Sequence, residues 1–457
     1  MKRTPAGLLL AFSLLSVGAG AQSLSPLPNA PAPVLARQVN AIPAAGASAP
    51  RTLTRPRAEA MAIRQNPDIS VGKLLALAQH QVVREARSAN LPTLTGDITA
   101  VDALDGSRIS AGYLTGSRLF EHAGAGGTLS QLITDFGHTH NLIASQKFEA
   151  KAQDANAMAT TEDIVLATDQ AFYNALEAQA LLRVAAQTVQ ARQTTENQVK
   201  QMTQNNLKST LDLSFADVDL SQGKLLQLDA QNNVASAMAA LDAILGVDHH
   251  VEYKLVQENA TAPPPPIHAQ PLIQLALKQR PDLQALLYGQ QSAKKLARAE
   301  REQMLPTISA LGTAGTVPIR PAAYYDNNWW GAVGVNMSIP IFNGFLYNAQ
   351  AKASRLRAEA DSERARALRD QVARDVRTAW LASTTAWQRV TVTAQLASQA
   401  NLALQLAQTR YKLGLSSIVE LSQAQLQQTQ AEIGNTNAQY QYRLSLATLN
   451  YETGARP

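Results

Sequence analysis

Cysteine is absent from all 457 residues. Without a thiol there is no disulfide framework, no thiolate metal site, no cysteine nucleophile and no cysteine for an N-terminal lipid anchor. Charge is scarce too: Asp, Glu, Lys and Arg make up 16% of the chain, against about 25% in an ordinary soluble domain. The net charge of +5 is spread over segments that mix bases with acids. That pattern reads as solvated helix surface, and no nucleic-acid partner is inferred. Beyond the first 21 residues no apolar run approaches 18 residues, which argues against a helical inner-membrane protein. Alanine, glutamine and threonine fill the gap, and small, weakly polar side chains suit long helices packed closely along their length.

Catalytic motifs are missing as well. No nucleophile elbow, no helical His-Glu-x-x-His pair and no carboxylate dyad is found, so neither an enzyme nor a cofactor is expected. His138-x-His140 has a spacing that could hold a metal on a strand but no third ligand follows from sequence, and interfacial surface is the favoured reading. His249-His250 falls in a connector and is read the same way. Ala123-Gly124-Ala125-Gly126-Gly127 lacks the Lys-Ser/Thr of a phosphate loop and is read as hairpin loop or barrel wall.

What is present begins with a secretory signal at residues 1–21: Lys2 and Arg3, an apolar run from Leu8 to Val17, then Ala19-Gly20-Ala21 as a small-residue cleavage site. A membrane anchor is the alternative, but the run is half the length a span needs. Residues 22–52, rich in Pro, Ala and Ser, read as a flexible leader.

The remainder repeats itself. Asn66-Pro67-Asp68 returns as Arg280-Pro281-Asp282 and Leu91-Pro92-Thr93 as Leu305-Pro306-Thr307, both 214 positions on. Leu211-Asp212-Leu213-Ser214 returns as Val419-Glu420-Leu421-Ser422 and Gly246 as Gly454, both 208 positions on. A period above 200 exceeds any solenoid unit and implies a duplicated half-molecule. The expected repeats are 53–253 and 271–454, joined by a Pro-rich linker at 254–270 that contains Pro263 to Pro266.

Each repeat is expected to run the same course. A helix starts at the Pro-Asp pair and extends to the residue before Pro92 or Pro306. Period-two segments follow: Leu94, Ile98 and Ala100 alternate with Thr95, Asp97 and Thr99, and Val333, Val335, Met337 and Ile339 with Gly334, Asn336 and Ser338. These give one hairpin at about 93–134 and another at about 307–341, each with a long loop. After Asp135-Phe136-Gly137 and Pro340-Ile341-Phe342-Asn343-Gly344 the period becomes helical. Heptad rows such as Ile164, Ala171, Ala178, Ala185 and Val372, Ala379, Ala386, Thr393 mark alanine-dominated coiled-coil seams. A helix from about Thr139 to Gln204 would rise roughly 100 Å. It returns after a tip near 205–211 in the first repeat and near 411–418 in the second.

Four alternating strands in an exported chain cannot close a membrane barrel, since single-chain barrels start at about eight strands, and lipid tolerates no open edge. Several copies would have to pool their strands. The chain resembles the TolC-like outer-membrane efflux proteins over roughly 55–454, on the strength of the duplication, the paired prolines, Pro340-Ile341-Phe342-Asn343-Gly344, and Arg410-Tyr411-Lys412-Leu413-Gly414 followed by Val419-Glu420-Leu421. The resemblance implies a mainly α protein with a small β part, a homotrimer with four strands per protomer in a 12-stranded transmembrane β-barrel, and a long periplasmic α-helical barrel. It implies an exit duct in the outer-membrane lipid of a tripartite efflux or type I secretion system, with a periplasmic adaptor and an inner-membrane pump as partners.

The same resemblance assigns roles at the tip. Tyr411 would help hold the tip closed, Gly414 would be its turn with Asn206 in the other hairpin, and Ser416 stands where an arginine latch can occur. Glu420, with its repeat counterpart Asp212, would form acidic selectivity rings, weakened because Gln423 replaces a second carboxylate. Helix-dipole stabilisation is the competing reading of both carboxylates. Pro92, Pro306, Pro340, Gly137 and Gly344 are the expected barrel-to-helix junctions, and Tyr324, Tyr325, Trp329 and Trp330 an expected interfacial aromatic girdle, with a plain surface cluster as the alternative. The rival function is an exported structural coiled-coil protein without a pore.

Overall fold

The structure is a computed structural model and describes residues 51–101, 108–111, 114–118, 122–247, 253–257, 262–316 and 329–454. The signal segment, nearly all of the leader, His249, His250, Tyr324 and Tyr325 lie outside the described residues.

In the first half β1 (Arg51–Leu53), α1 (Arg55–Gln65) and α2 (Pro67–Ser88) precede β2 (Thr93–Val101), β3 (Arg108–Ala111), β4 (Leu114–Arg118) and β5 (His122–Thr134). Helices α3 (His138–Gln204) and α4 (Thr210–Leu245) follow. The second half contains β6 (Tyr253–Leu255), α5 (Ala269–Gln279), α6 (Pro281–Glu302), β7 (Thr307–Thr316), β8 (Trp329–Ser338), α7 (Leu346–Lys412) and α8 (Ile418–Thr453). Helix lengths match in pairs: α1 and α5 have 11 residues, α2 and α6 22, α3 and α7 67, α4 and α8 36.

Local chemistry sets the boundaries. Pro67 and Pro281 open α2 and α6, where a missing amide hydrogen costs nothing. The Asn66 side chain caps α2 by accepting from the Asp68 amide at 2.9 Å, and its Nδ2 donates to the Ile244 carbonyl at 3.0 Å. Arg280 takes the corresponding place before α6 and donates to Asp282 at 2.7 Å and to Glu452. Neither helix reaches the residue before Pro92 or Pro306. Both stop earlier, at Ser88 and Glu302, and tight turns such as Leu91 N to Ser88 O at 2.9 Å fill the interval. Proline disfavours helical geometry in its predecessor, so the helix must end before it.

Strands β2, β5, β7 and β8 form one antiparallel sheet in the order β2-β5-β7-β8. Its register places Leu94, Leu129, Gly312 and Val333 in one cross-strand row. Ile98 and Val333 on that face are 88% and 91% exposed. Thr95, Thr128 and Thr313 belong to the other face. The structure corrects the long loop expected in the first hairpin and decides between the two readings of residues 123–127. β3 and β4 pair as a small hairpin, and β5 begins at His122, so Gly124, Gly126 and Gly127 are strand residues. Glycine reads as a turn signal, but within a strand it marks close approach of neighbouring groups. Ile339 and Ile341, expected in the last strand, lie beyond its end at Ser338.

A second correction concerns the leader and the linker. Residues 51–53 pair in parallel with 253–255, drawing Arg51 and Thr52 out of the expected leader and Lys254 and Leu255 out of the expected linker. Leu53, Tyr253 and Leu255 are buried with Phe172, Leu241, Leu245 and Tyr440. Three-residue strands carry too few residues for periodicity to reveal them.

Beside the sheet the helices pack in the order α2-α3-α6-α7; toward the hairpin tips the order is α4-α3-α8-α7. The seam rows face inward: Thr168, Ala171, Ala175, Ala178 and Ala185 are buried on α3, and Val372, Val376, Ala379, Ser383, Ala397 and Ala407 on α7. Exposed leucine and valine are concentrated on the terminal helices of these orders, among them Val71, Leu74 and Leu75 on α2, Leu225 and Leu228 on α4, and Leu381, Val392 and Leu406 on α7.

Two glycines with similar dihedrals separate backbone strain from crowding. Gly246 ends α4 at φ 70° and a Cβ there would sit 2.8 Å from the Gln65 carbonyl oxygen, whereas Gly414 at φ 75° has open space around it. Gly414→Ala should cost roughly 1 to 2 kcal/mol, the left-handed penalty alone. Gly246→Ala should cost distinctly more, because backbone must move. Thermal melts of the two detergent-solubilised variants decide this, and equal shifts would refute the contact.

Candidate functional site

The two hairpin tips are built alike. Asn206, at φ 58°, and Gly414 are the left-handed residues of the turns. Leu207 N donates to Met202 O and Leu415 N to Arg410 O, each at 2.8 Å, closing the same six-residue helix cap. Ser209 then accepts from the Asp212 amide at 3.2 Å while Asp212 accepts from the Ser209 amide at 3.3 Å, a reciprocal capping box. Ser417 likewise accepts from the Glu420 amide at 3.3 Å, but the Glu420 carboxylate turns away and pairs with Arg410 Nε at 3.1 Å. Both carboxylates therefore occupy a first helical turn, where the dipole favours them, and only Asp212 is engaged by its own cap.

Tyr411 is 4% exposed and packs with Val199, Ala216, Ala407, Ile418, Leu421 and Ala424. Lys208 Nζ from the other hairpin lies 4.3 Å from the ring centroid, within cation–π range. Among the described residues neither the buried phenolic oxygen nor the Ser416 hydroxyl has a hydrogen-bond partner. Burial, reinforced by the negative charge of Asp212, pushes the Tyr411 phenol up to about 12. The contacts of Tyr411 at the tip are therefore made by its ring and not by its hydroxyl.

Further along, polar ties fix the hairpins against each other. Arg192 on α3 donates to the Asp219 carbonyl at 2.6 Å, Ser422 on α8 donates to the Asp219 carboxylate, and Gln425 Nε2 donates to Thr195 Oγ1 at 3.0 Å. Burial pulls the Arg192 pKa down, and Asp219 opposes that pull. Sequence reading missed this group. The signal was available: Arg192 continues the row Ala171, Ala178, Ala185, and a charged residue at a seam position specifies register.

At the other end of the long helices, Pro92 and Pro306 stand between helix and strand, and Pro340 lies just past β8. Phe136 and Gly137 precede α3 with φ of 53° and 116°, and Gly344 and Phe345 precede α7 with φ of 64° and 66°. A Cβ on Gly137 would sit 3.1 Å from the Glu302 carboxylate, whose oxygens accept from Asn141 Nδ2 at 2.8 and 2.9 Å. His138 and His140 are in the first turn of α3, not on a strand. His138 Nδ1 donates to the Ala299 carbonyl at 2.8 Å, tying α3 to α6. Among the described residues no group of three His, Asp or Glu is placed to hold a metal ion.

The expected girdle is corrected at one position. Trp329 and Trp330 open β8 as consecutive residues, and consecutive strand residues point to opposite faces. Trp329 shares the face of Val333, Val335 and Met337. Trp330 shares the polar face of Asn336 and Ser338, so it cannot join the same belt.

The model of the family described as outer membrane efflux protein matches residues 60–247 and 272–455. The chain belongs to that family. Outer membrane protein TolC of Escherichia coli K12 is 25% identical over 413 residues, which span 85% of this chain and 80% of the relative. Its counterpart in Salmonella enteritidis is 23% identical over 410 residues, 85% of this chain and 79% of that protein. Among solved structures, CusC superposes with a TM-score of 0.78 at 17% identity, covering 88% of this chain and 92% of that one. The outer-membrane channel OprN gives 0.77 at 16% identity, covering 88% and 90%. The fold is therefore that of outer-membrane efflux channels, strands of a β-barrel continued by an α-helical barrel, and the family is one of transport ducts without enzymatic activity.

The Tyr411 environment generates a pH prediction. A phenol whose folded pKa lies above its unfolded value near 10 contributes stability below pH 10 that is lost as pH rises toward about 12. Melting temperature followed across pH 9 to 12 should fall less for Tyr411→Phe than for the parent chain, and at pH 8 the variant should melt no lower than the parent, because the buried hydroxyl finds no partner among the described residues. Superimposable alkaline profiles would count against this environment.

Proposed function

We propose that three copies of this chain form the outer-membrane exit duct of a tripartite efflux or type I secretion system, conducting cargo passively from an inner-membrane pump and a periplasmic adaptor. The observation that carries this reading is the coincidence of open edges. The sheet ends at β2 and β8, and the helical layers end at α2 or α4 on one side and α7 on the other. Unpaired strand edges and exposed leucine and valine thus fall on the same two borders. Head-to-tail addition of copies covers all of them at once and returns on itself, and the family supplies the number three and the total of twelve strands.

The exposed apolar face of Leu94, Ile98, Leu129, Val333 and Val335 then meets outer-membrane lipid, and Trp329 sits at one rim of that band. A structural coiled-coil protein of the periplasm has no use for a sheet with such a face. The long helical hairpins reach into the periplasm and offer their tips to the adaptor. Residues 53–253 and 271–454 act as two repeats of one plan, with residues 1–21 as the export signal.

In this duct Glu420 and Asp212 contribute carboxylates near the tip constriction, where rings of acid favour cations. Reconstitution into planar bilayers tests the reading: discrete, reproducible pores are expected, and a detergent-free water-soluble monomer without conductance would sink it. Glu420→Gln combined with Asp212→Asn should lower cation preference. Arg410→Ala should raise it, by releasing Glu420 from its partner. Unchanged reversal potentials in both variants would return the carboxylates to helix capping alone.

A further inference from the structure

We infer that the polar face of the sheet carries a subsite for planar organic cations, formed by Trp330 and Asp97 across a floor of Gly126 and Gly315. The inference rests on the duct reading, which makes that face the lumenal one.

Register joins the four residues. Asp97 pairs with Gly126, Gly126 with Gly315, and Gly315 with Trp330, so one cross-strand row runs through the whole sheet. Two glycines in the middle of the row leave no side chains there, and the indole of Trp330 lies over the gap. A Cβ on Gly315 would sit 3.0 Å from Trp330 Cζ2, and one on Gly126 3.8 Å from the same atom. The far edge of the indole therefore reaches the strand adjoining β2, about one strand spacing of 4.8 Å from the backbone of Asp97. Trp330 remains 47% exposed, so a face of the ring is open.

Charge supplies the second half of the argument. Among the described residues of β2, β5, β7 and β8, Asp97 is the one Asp, Glu, Lys or Arg. The rows flanking it on that face are Thr95, Thr128, Thr313 and Ala332 on one side and Thr99 and Gly124 on the other, so the carboxylate attracts cations with no Lys or Arg among the described residues of these strands to compete. An indole face beside it holds planar cations by stacking and by the ring quadrupole. The two residues also occupy opposite edge strands. In a closed ring β8 of one copy adjoins β2 of the next, so Trp330 and Asp97 alternate around the wall and a cation leaving one subsite finds another beside it.

The test uses the full-length protein in detergent and N-methylacridinium as probe, whose fluorescence reports contact with indole, alongside pyrene-1-sulfonate as a planar anion. Trp330→Ala should weaken acridinium binding roughly three- to thirty-fold, the span of a cation–π contact. Trp330→Phe should restore most of it, and Asp97→Asn should weaken it several-fold while narrowing the preference for acridinium over pyrenesulfonate. Planar-bilayer pores of parental conductance in each variant verify that the wall is intact. Unchanged acridinium affinity in Trp330→Ala or in Asp97→Asn, with pores preserved, overturns the subsite and leaves the duct standing. Absence of pores in the parent protein overturns both.

Discussion

Backbone hydrogen bonding at the sheet edges governs the architecture. β2 and β8 each present one side of their amides and carbonyls to no partner strand among the described residues, and in hydrocarbon every unsatisfied group costs several kcal/mol. A face as apolar as that of Leu94, Ile98, Val333 and Val335 belongs in hydrocarbon, yet four strands cannot wrap onto themselves. The proposed ring of copies resolves the conflict, because the same open borders run through the sheet and both helical layers. In that ring, completion of the strands also covers the exposed leucines and valines of α2, α4 and α7.

Small residues make the long helices compatible with that closure. Alanine, serine and threonine on the buried rows of α3 and α7 let helix axes approach closely while leaving each helix thin. Such seams bury little area per residue and specify register weakly, so polar groups do the specifying. Arg192 in the α3 row, Asp219, Ser422 and Gln425 join three helices near the tips. Where the helix ends meet, Arg280 answers Asp282 and Glu452, and Tyr451 donates to Asp163. Burial alone would lower the basicity of Arg280; its two acidic partners reverse that and raise it.

The two halves solve one geometric problem with different chemistry. Asn66 caps its helix and reaches the Ile244 carbonyl with neutral hydrogen bonds, while Arg280 at the corresponding place uses ion pairs. Gly246 and Gly454 end α4 and α8 in the left-handed conformation and press against the backbone at residues 65–66 and 279–280. Likewise the tips share a turn but differ in the carboxylate that follows it, since Asp212 returns to its cap and Glu420 reaches Arg410. Copies related by sequence spacing therefore present unlike electrostatics at like positions.

Much was legible in the chain alone, because it is local. Period-two and heptad spacing, Pro67, Pro281 and the Asn206 and Gly414 turns depend on one residue and its near neighbours, and they determined which segments are strand, which are helix and where the long helices reverse. The missing cysteines and short apolar runs narrowed the class further. Tertiary structure decided whatever depends on register between distant segments: the β1–β6 pair, the buried Arg192, the strand identity of the Gly124–Gly127 run, and the separation of Trp330 from Trp329 onto opposite faces. Those outcomes turn on which residues stand opposite each other across strands and helices. A slip of one position would exchange the apolar and polar faces of the sheet while leaving every local pattern unchanged.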